Sequence, residues 1–105
     1  MLFVALNEAA DRKELILVRG GMCRFHLRRD GVVVIRELLV LPECRKMGVG
    51  TDILERIRLR HPAAVIRAVC PADYPANEFW RNRGFELKGY AKGANTWELS
   101  GEVRS

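Results

Sequence analysis

Ten consecutive residues, Val32–Leu41 (VVVIRELLVL), carry only two polar side chains, Arg36 and Glu37, and stop at Pro42. A run so apolar and so rich in β-branched residues belongs at the centre of a sheet. Directly behind it the pattern changes. The stretch PECRKMGVG (Pro42–Gly50) holds a proline, a basic pair and two glycines, and from Gly48 onward Val49, Ile53, Leu54 and Ile57 recur at helical spacing. Asp52, Arg56 and Arg60 take the other face, with Asp52 and Arg56 one turn apart and able to pair. His61-Pro62 ends the helix, because the residue before a proline avoids the helical region. A central strand feeding a helix through a glycine turn restricts the chain to an α/β sheet fold.

The remaining segments fit around that unit. Leu2–Leu6 (LFVAL) reads as a short strand, and Asn7–Lys13 as a loop or a single helical turn. Glu14–Val18 (ELILV) reads as a strand leading to a Gly20-Gly21 hairpin signal; alternatively, Asn7 caps a helix that runs to Arg19. Met22–Arg28 alternates Cys23, Phe25 and Leu27 against Arg24, His26 and Arg28, the period of a half-exposed strand, and Asp30-Gly31 marks the next turn. Ala64–Cys70 is a further strand, Asn77–Arg83 a short helix closed by Gly84, and Phe85–Ala91 with Thr96–Leu99 a last hairpin. The order is a strand meander, then helix, strand, helix and two strands. That gives a mixed sheet, since a strand-helix-strand unit favours parallel neighbours.

With 105 residues the chain is read as one domain over 1–105. Its net charge of +5, from fourteen arginines and four lysines against thirteen acidic residues, suits an anionic partner. The basic residues are scattered and not interleaved with aromatics, which argues against nucleic acid. Three widely spaced cysteines and two histidines form no metal-binding spacing, so reduced thiols and a cytoplasmic location are expected. The N-terminal LFVAL lacks the features of a signal peptide, and no apolar run approaches membrane-spanning length.

A basic, glycine-rich turn at the start of a helix makes an anion site. The first helical N–H groups have no internal partner and carry the positive end of the dipole. Gly48 and Gly50 would let a phosphate approach those amides without a Cβ in the way, with Arg45 and Lys46 at the rim. The spacing is neither GxGxxG nor a P-loop, because no lysine follows Gly50.

The longer string ELLVLPECRKMGVGTDIL resembles the acetyl-CoA-binding motif of the GNAT family of N-acetyltransferases, in which a strand ending Val-x-Pro is followed by Arg/Gln-x-x-Gly-x-Gly/Ala. Arg45, Gly48 and Gly50 fill its fixed positions. Downstream, ANEFWRNRGFEL resembles the family's N…FY…GF element, so the likeness covers about residues 32–87. It implies a mixed, mostly antiparallel sheet with two helices after the fourth strand. It also implies acetyl-CoA as cofactor, with the backbone of Leu38, Leu39 and Val40 holding the pantetheine arm. The turn Arg45, Lys46, Met47, Gly48, Val49 and Gly50 would hold the pyrophosphate, and Asn77 and Trp80 would adjoin the cofactor. The reaction would be direct acetyl transfer to a primary amine of a small molecule or protein.

Two readings of Glu37 stay open: a general base on the motif strand, or a structural partner of an arginine. The sequence departs from the family in two places. Trp80 stands where a tyrosine commonly protonates the leaving thiolate, which leaves Tyr74, Cys70 or water as the acid. Only Asn7–Lys13 stands where two helices usually wall the acceptor side, which leaves room for a large acceptor, a homodimer, or a non-catalytic CoA-binding or protein-interaction module.

Overall fold

A computed structural model of the chain describes residues 14–101. The strand expected at Leu2–Leu6 and the loop at Asn7–Lys13 lie outside the described residues. The elements are β1 (Leu15–Val18), β2 (Gly21–Leu27), β3 (Val33–Val40), a 3-10 turn at Pro42–Cys44, α1 (Val49–Arg60), β4 (Ile66–Pro71), α2 (Ala76–Asn82), β5 (Glu86–Ala91) and β6 (Ala94–Leu99). They form one six-stranded sheet in the order β1-β2-β3-β4-β6-β5. The described residues therefore show the expected α/β architecture, mostly antiparallel, with β3 inside the sheet.

Leu15–Val18 is extended, so the alternative of a helix continuing through these residues to Arg19 is not met. Val18 pairs with Gly21, so the two-residue loop is Arg19-Gly20 and Gly21 already belongs to β2. Gly20 sits at φ +87°, the left-handed region that such tight loops need.

All strands but the edge strand β5 contribute to a shared core. Ile16, Cys23, Phe25, Val33, Ile66, Ala68, Cys70 and Trp97 are buried from the sheet, and Ile53, Leu54 and Ile57 meet them from α1. Burying side chains of this size contributes roughly 1.5–3 kcal/mol each. On α1 the buried stripe is Gly50, Ile53, Leu54 and Ile57, while Val49 is only half-buried. The predicted Asp52–Arg56 pair forms at 3.1 Å on the exposed side. The C-terminal end of α1 is held by Arg58, whose guanidinium donates to the carbonyls of His61, Pro62, Ala64 and Ser100. Among the described residues no helix is long and apolar enough to cross a membrane.

The sheet is interrupted at one place. β3 and β4 are parallel neighbours, but only Val33–Ile35 pair with Ile66–Ala68. Past Ile35 β3 keeps its ladder with β2 up to Val40, and β4 keeps its ladder with β6 up to Pro71. One residue of β3, Arg36, is bulged out of the β2 ladder at the point where the two strands separate. The facing edges of the two strands are thereby left without strand partners.

Cys23 supplies a test of the core. Its thiol is fully enclosed opposite Leu38, and burial, helped by the charge of Glu37, pushes it from 9.0 up to about 12. The folded state then keeps a proton that the unfolded chain loses above pH 9, so stability falls as pH rises through that window. The stability gap between the wild type and Cys23→Ala, measured by denaturant titration, is expected to narrow from pH 9 upward, by up to ~1.4 kcal/mol per pH unit. A gap independent of pH would show that the thiol is not shielded.

Candidate functional site: a cleft between diverging strands

The gap between β3 and β4 opens into a cleft of about 910 Å³. One wall is the free edge of β3 at Leu38, Leu39 and Val40. The floor is the turn from Cys44 to Gly50, and the far wall is α2 with its lead-in, Tyr74 to Arg83.

The turn is built to leave amides free. Cys44, Arg45 and Met47 donate their N–H groups to Leu41, Pro42 and Cys44 carbonyls, tightening the loop. The first bond of α1 runs from Asp52 N–H to Gly48 O, so the N–H groups of Val49, Gly50 and Thr51 precede it. No side chain caps this helix end. Twelve residues of aligned peptide dipoles therefore end at the cleft beside Arg45 and Lys46.

Both glycines are required, but for different reasons. Gly48 is the N-cap at φ +80°, and a Cβ there would meet nothing within 4 Å. Gly50 has an ordinary backbone, but a Cβ would lie 2.9 Å from two ring carbons of Phe79. Gly50 therefore also answers a packing need: without a Cβ it lets α2 seat Phe79 against α1. Lys46 is also left-handed, at φ +67°, although it has a side chain. Strain of this kind costs about 1–3 kcal/mol and is characteristic of functional turns.

The predicted residues separate cleanly. Leu38, Leu39, Val40, Arg45, Lys46, Gly48, Val49, Gly50, Tyr74 and Trp80 all line the cleft; Met47, Asn77 and Glu37 do not. Met47 points to solvent at 71% exposure. Asn77 is 8% exposed, and its amide is fully engaged. Its Nδ2 donates to the carbonyls of Pro71 (2.9 Å), Ala72 (3.2 Å) and Tyr74 (2.7 Å), and its Oδ1 accepts from Asn95 (3.0 Å) and Trp97 Nε1 (2.9 Å). Asn77 therefore ties the lead-in of α2 to β4 and β6 and has no group left for a cofactor.

Glu37 lies across the ladder from Arg24 and accepts a 3.0 Å hydrogen bond from its Nη2. Cys23 and Phe25 face the helices, so Arg24 and Glu37 project from the opposite face of the sheet, beside the point where β3 leaves β4. Both side chains are about a quarter exposed, and Arg24 Nε is buried without a partner among the described residues. The structural pairing of Glu37 is thus formed.

Trp80 packs edge-on between Phe79 and Phe85, at 5.1 Å from each ring. Burial pushes the Cys70 thiol up, and the neighbouring Trp80 side chain partly offsets that push. The Cys70 thiol in turn is 3.5 Å from Pro71 O. With both neighbours taken and no place in the cleft lining, Cys70 is a packing residue. Tyr74 is the phenol in the cleft, at 56% exposure.

Thr51, Phe79 and Arg83 also line the cleft and were not anticipated. The model of the acetyltransferase (GNAT) domain matches residues 1–87. The chain belongs to the GNAT family. Members of this GNAT family are acyltransferases. No curated protein sequence matches the chain. Solved structures share the fold. The PaiA N-acetyltransferase of Thermoplasma acidophilum, in complex with coenzyme A, superimposes with a TM-score of 0.77 at 13% identity, covering 94% of this GNAT chain and 69% of its own. A Bacillus anthracis protein described as a streptothricin acetyltransferase, bound to acetyl coenzyme A, gives 0.73 at 18%, covering 92% and 69%. The YlbP N-acetyltransferase of Bacillus subtilis with coenzyme A gives 0.60 at 17%, covering 76% and 59%. The chain spans 64% of the length of two further GNAT structures, from Arabidopsis thaliana and Escherichia coli.

The packing role of Gly50 gives a measurable contrast. Gly50→Ala is expected to lower stability by about 1–2 kcal/mol through overpacking, and most of that loss should vanish in a Phe79→Leu background. Gly48→Ala should cost about as much through left-handed strain alone, with no coupling to Phe79. Equal coupling of both glycines to Phe79 in a denaturation double-mutant cycle would contradict the assignment.

Proposed function

We propose that the protein binds acetyl-CoA in this cleft and transfers the acetyl group to a primary amine. The observation that carries the reading is the uncapped N-terminus of α1, opening beside two cations onto the free edge of a strand. The residues present fit such a group. The amides of Val49, Gly50 and Thr51 with Arg45 and Lys46 would hold the diphosphate. The free edge of Leu38, Leu39 and Val40 offers backbone donors and acceptors to the amide-bearing arm, as one strand does to another. Acetyl-CoA supplies the activated acyl group and its thiolate leaving group.

The chain's own part is positioning and proton transfer. An acceptor amine must lose a proton to become a nucleophile, and Glu37, on the sheet face away from the helices, takes that proton directly or through a water. Arg24 fixes the carboxylate through its 3.0 Å hydrogen bond. Tyr74, in the cleft lining, returns a proton to the leaving sulfur, since the indole of Trp80 is a donor of very high pKa.

A second reading, a CoA-binding module without catalysis, is favoured by Trp80, which fills the usual place of the acid with a group that has no proton to give. Calorimetry and a transfer assay over amines and peptides separate the two. Acetyl-CoA is expected to bind, and replacing Arg45 and Lys46 together by Gln should weaken it by about tenfold or more. Glu37→Gln should lower kcat by about a hundredfold while leaving cofactor affinity unchanged. Binding without turnover on any amine selects the second reading; no binding at millimolar cofactor rejects both.

A further inference from the structure

Arg83 follows α2 directly, and its backbone N–H closes that helix on Phe79 and Trp80 carbonyls. Its side chain does not return to α2. The guanidinium Nη1 donates to Thr51 Oγ1 at 2.6 Å, in the first turn of α1, and the group lies 5.9 Å from the centroid of the Phe79 ring. Phe79 is the ring that fills the space above Gly50. The head of Arg83 is thus held by one hydroxyl and one aromatic face at the mouth of the cleft, on the same helix turn that carries the free amides.

Its partners differ from those of the five ion-paired arginines. Arg24, Arg28, Arg56, Arg67 and Arg81 each have a carboxylate within 3.1 Å. Arg83 has none within ion-pair distance among the described residues, and the same holds for Arg45 and Lys46. A planar cation, pre-positioned by neutral neighbours and still offering several N–H donors to the cleft, is suited to a phosphate monoester.

Coenzyme A carries two kinds of anion, the diphosphate and a separate monoester on the ribose 3′ position. If the diphosphate takes the amides of α1 with Arg45 and Lys46, the third phosphate needs a third cation on the α2 side. We propose that Arg83, oriented by Thr51 and Phe79, binds the 3′-phosphate and makes the protein selective for CoA over 3′-dephospho-CoA. This inference rests on the acetyl-CoA reading above.

The test is calorimetry on the full chain with CoA and with 3′-dephospho-CoA, for the wild type, Arg83→Gln and Arg83→Lys. The wild type is expected to prefer CoA by about tenfold or more, the range of a charge-assisted contact. In Arg83→Gln the preference should collapse to within about twofold, through loss of CoA affinity alone. Arg83→Lys should retain part of it, and the wild-type preference should shrink as salt is raised. Equal binding of both nucleotides by the wild type overturns the proposal without touching the acetyl-CoA reading, and needs no variant to fold. Equal weakening of both nucleotides in Arg83→Gln overturns it as well, by assigning the residue a packing role. Failure of the wild type to bind either nucleotide defeats the underlying reading and this inference with it.

Discussion

The parallel ladder between β3 and β4 lasts three residues, Val33 to Ile35 against Ile66 to Ala68, and then the strands part. Everything that makes a site of this fold follows from that early end. A complete ladder would bury the second edge of β3 and bring α1 and α2 against an unbroken sheet. Because the ladder stops, Leu38–Val40 keep unpaired backbone groups, and unpaired groups must be met by solvent or ligand. The helix that leaves β3 then aims its free amides into the same opening. Two sets of unsatisfied donors converge on one cleft, and among the described residues the cations beside it have no carboxylate partner.

The walls of the cleft are kept apart by packing that contributes nothing to binding directly. Asn77 anchors the lead-in of α2 to both β4 and β6 with five hydrogen bonds, and Phe79 occupies the volume that a side chain at residue 50 would need. Removing either partner of such a buried network leaves desolvated polar groups, the more costly kind of loss. The GNAT pattern of an asparagine and paired glycines therefore mixes two functions in this chain. Some of its residues face the ligand, and others set the separation of the surfaces that do.

How much of this could be read in the sequence depended on the range of the interaction. The central strand, the turn and α1 were legible because proline, glycine and a change of period are local signals. The cleft residues of the turn followed from the same stretch. Lys46 gave no sign of its left-handed backbone, because lysine has no preference that announces one. The parting of β3 and β4 has no local signature at all, and Asn77 to Trp97 or Arg83 to Thr51 are contacts between residues 20 and 32 positions apart. Glu37 was legible as an acid in an apolar strand, but its partner Arg24 is set by the register of β2 and β3. Of the residues singled out by resemblance, most of the turn lines the cleft, whereas the side chain of Asn77 faces inward.

On the proposed function, the N-terminus of α1 and the free edge of β3 form one ligand surface. Amide NMR during a titration with acetyl-CoA tests it most directly. The N–H signals of Val49, Gly50, Thr51 and of Leu38–Val40 should move together along a single saturable curve, with those of β1 and β5 unmoved. Shifts confined to the sheet face that carries Arg24 and Glu37, or to either set of amides without the other, would contradict it.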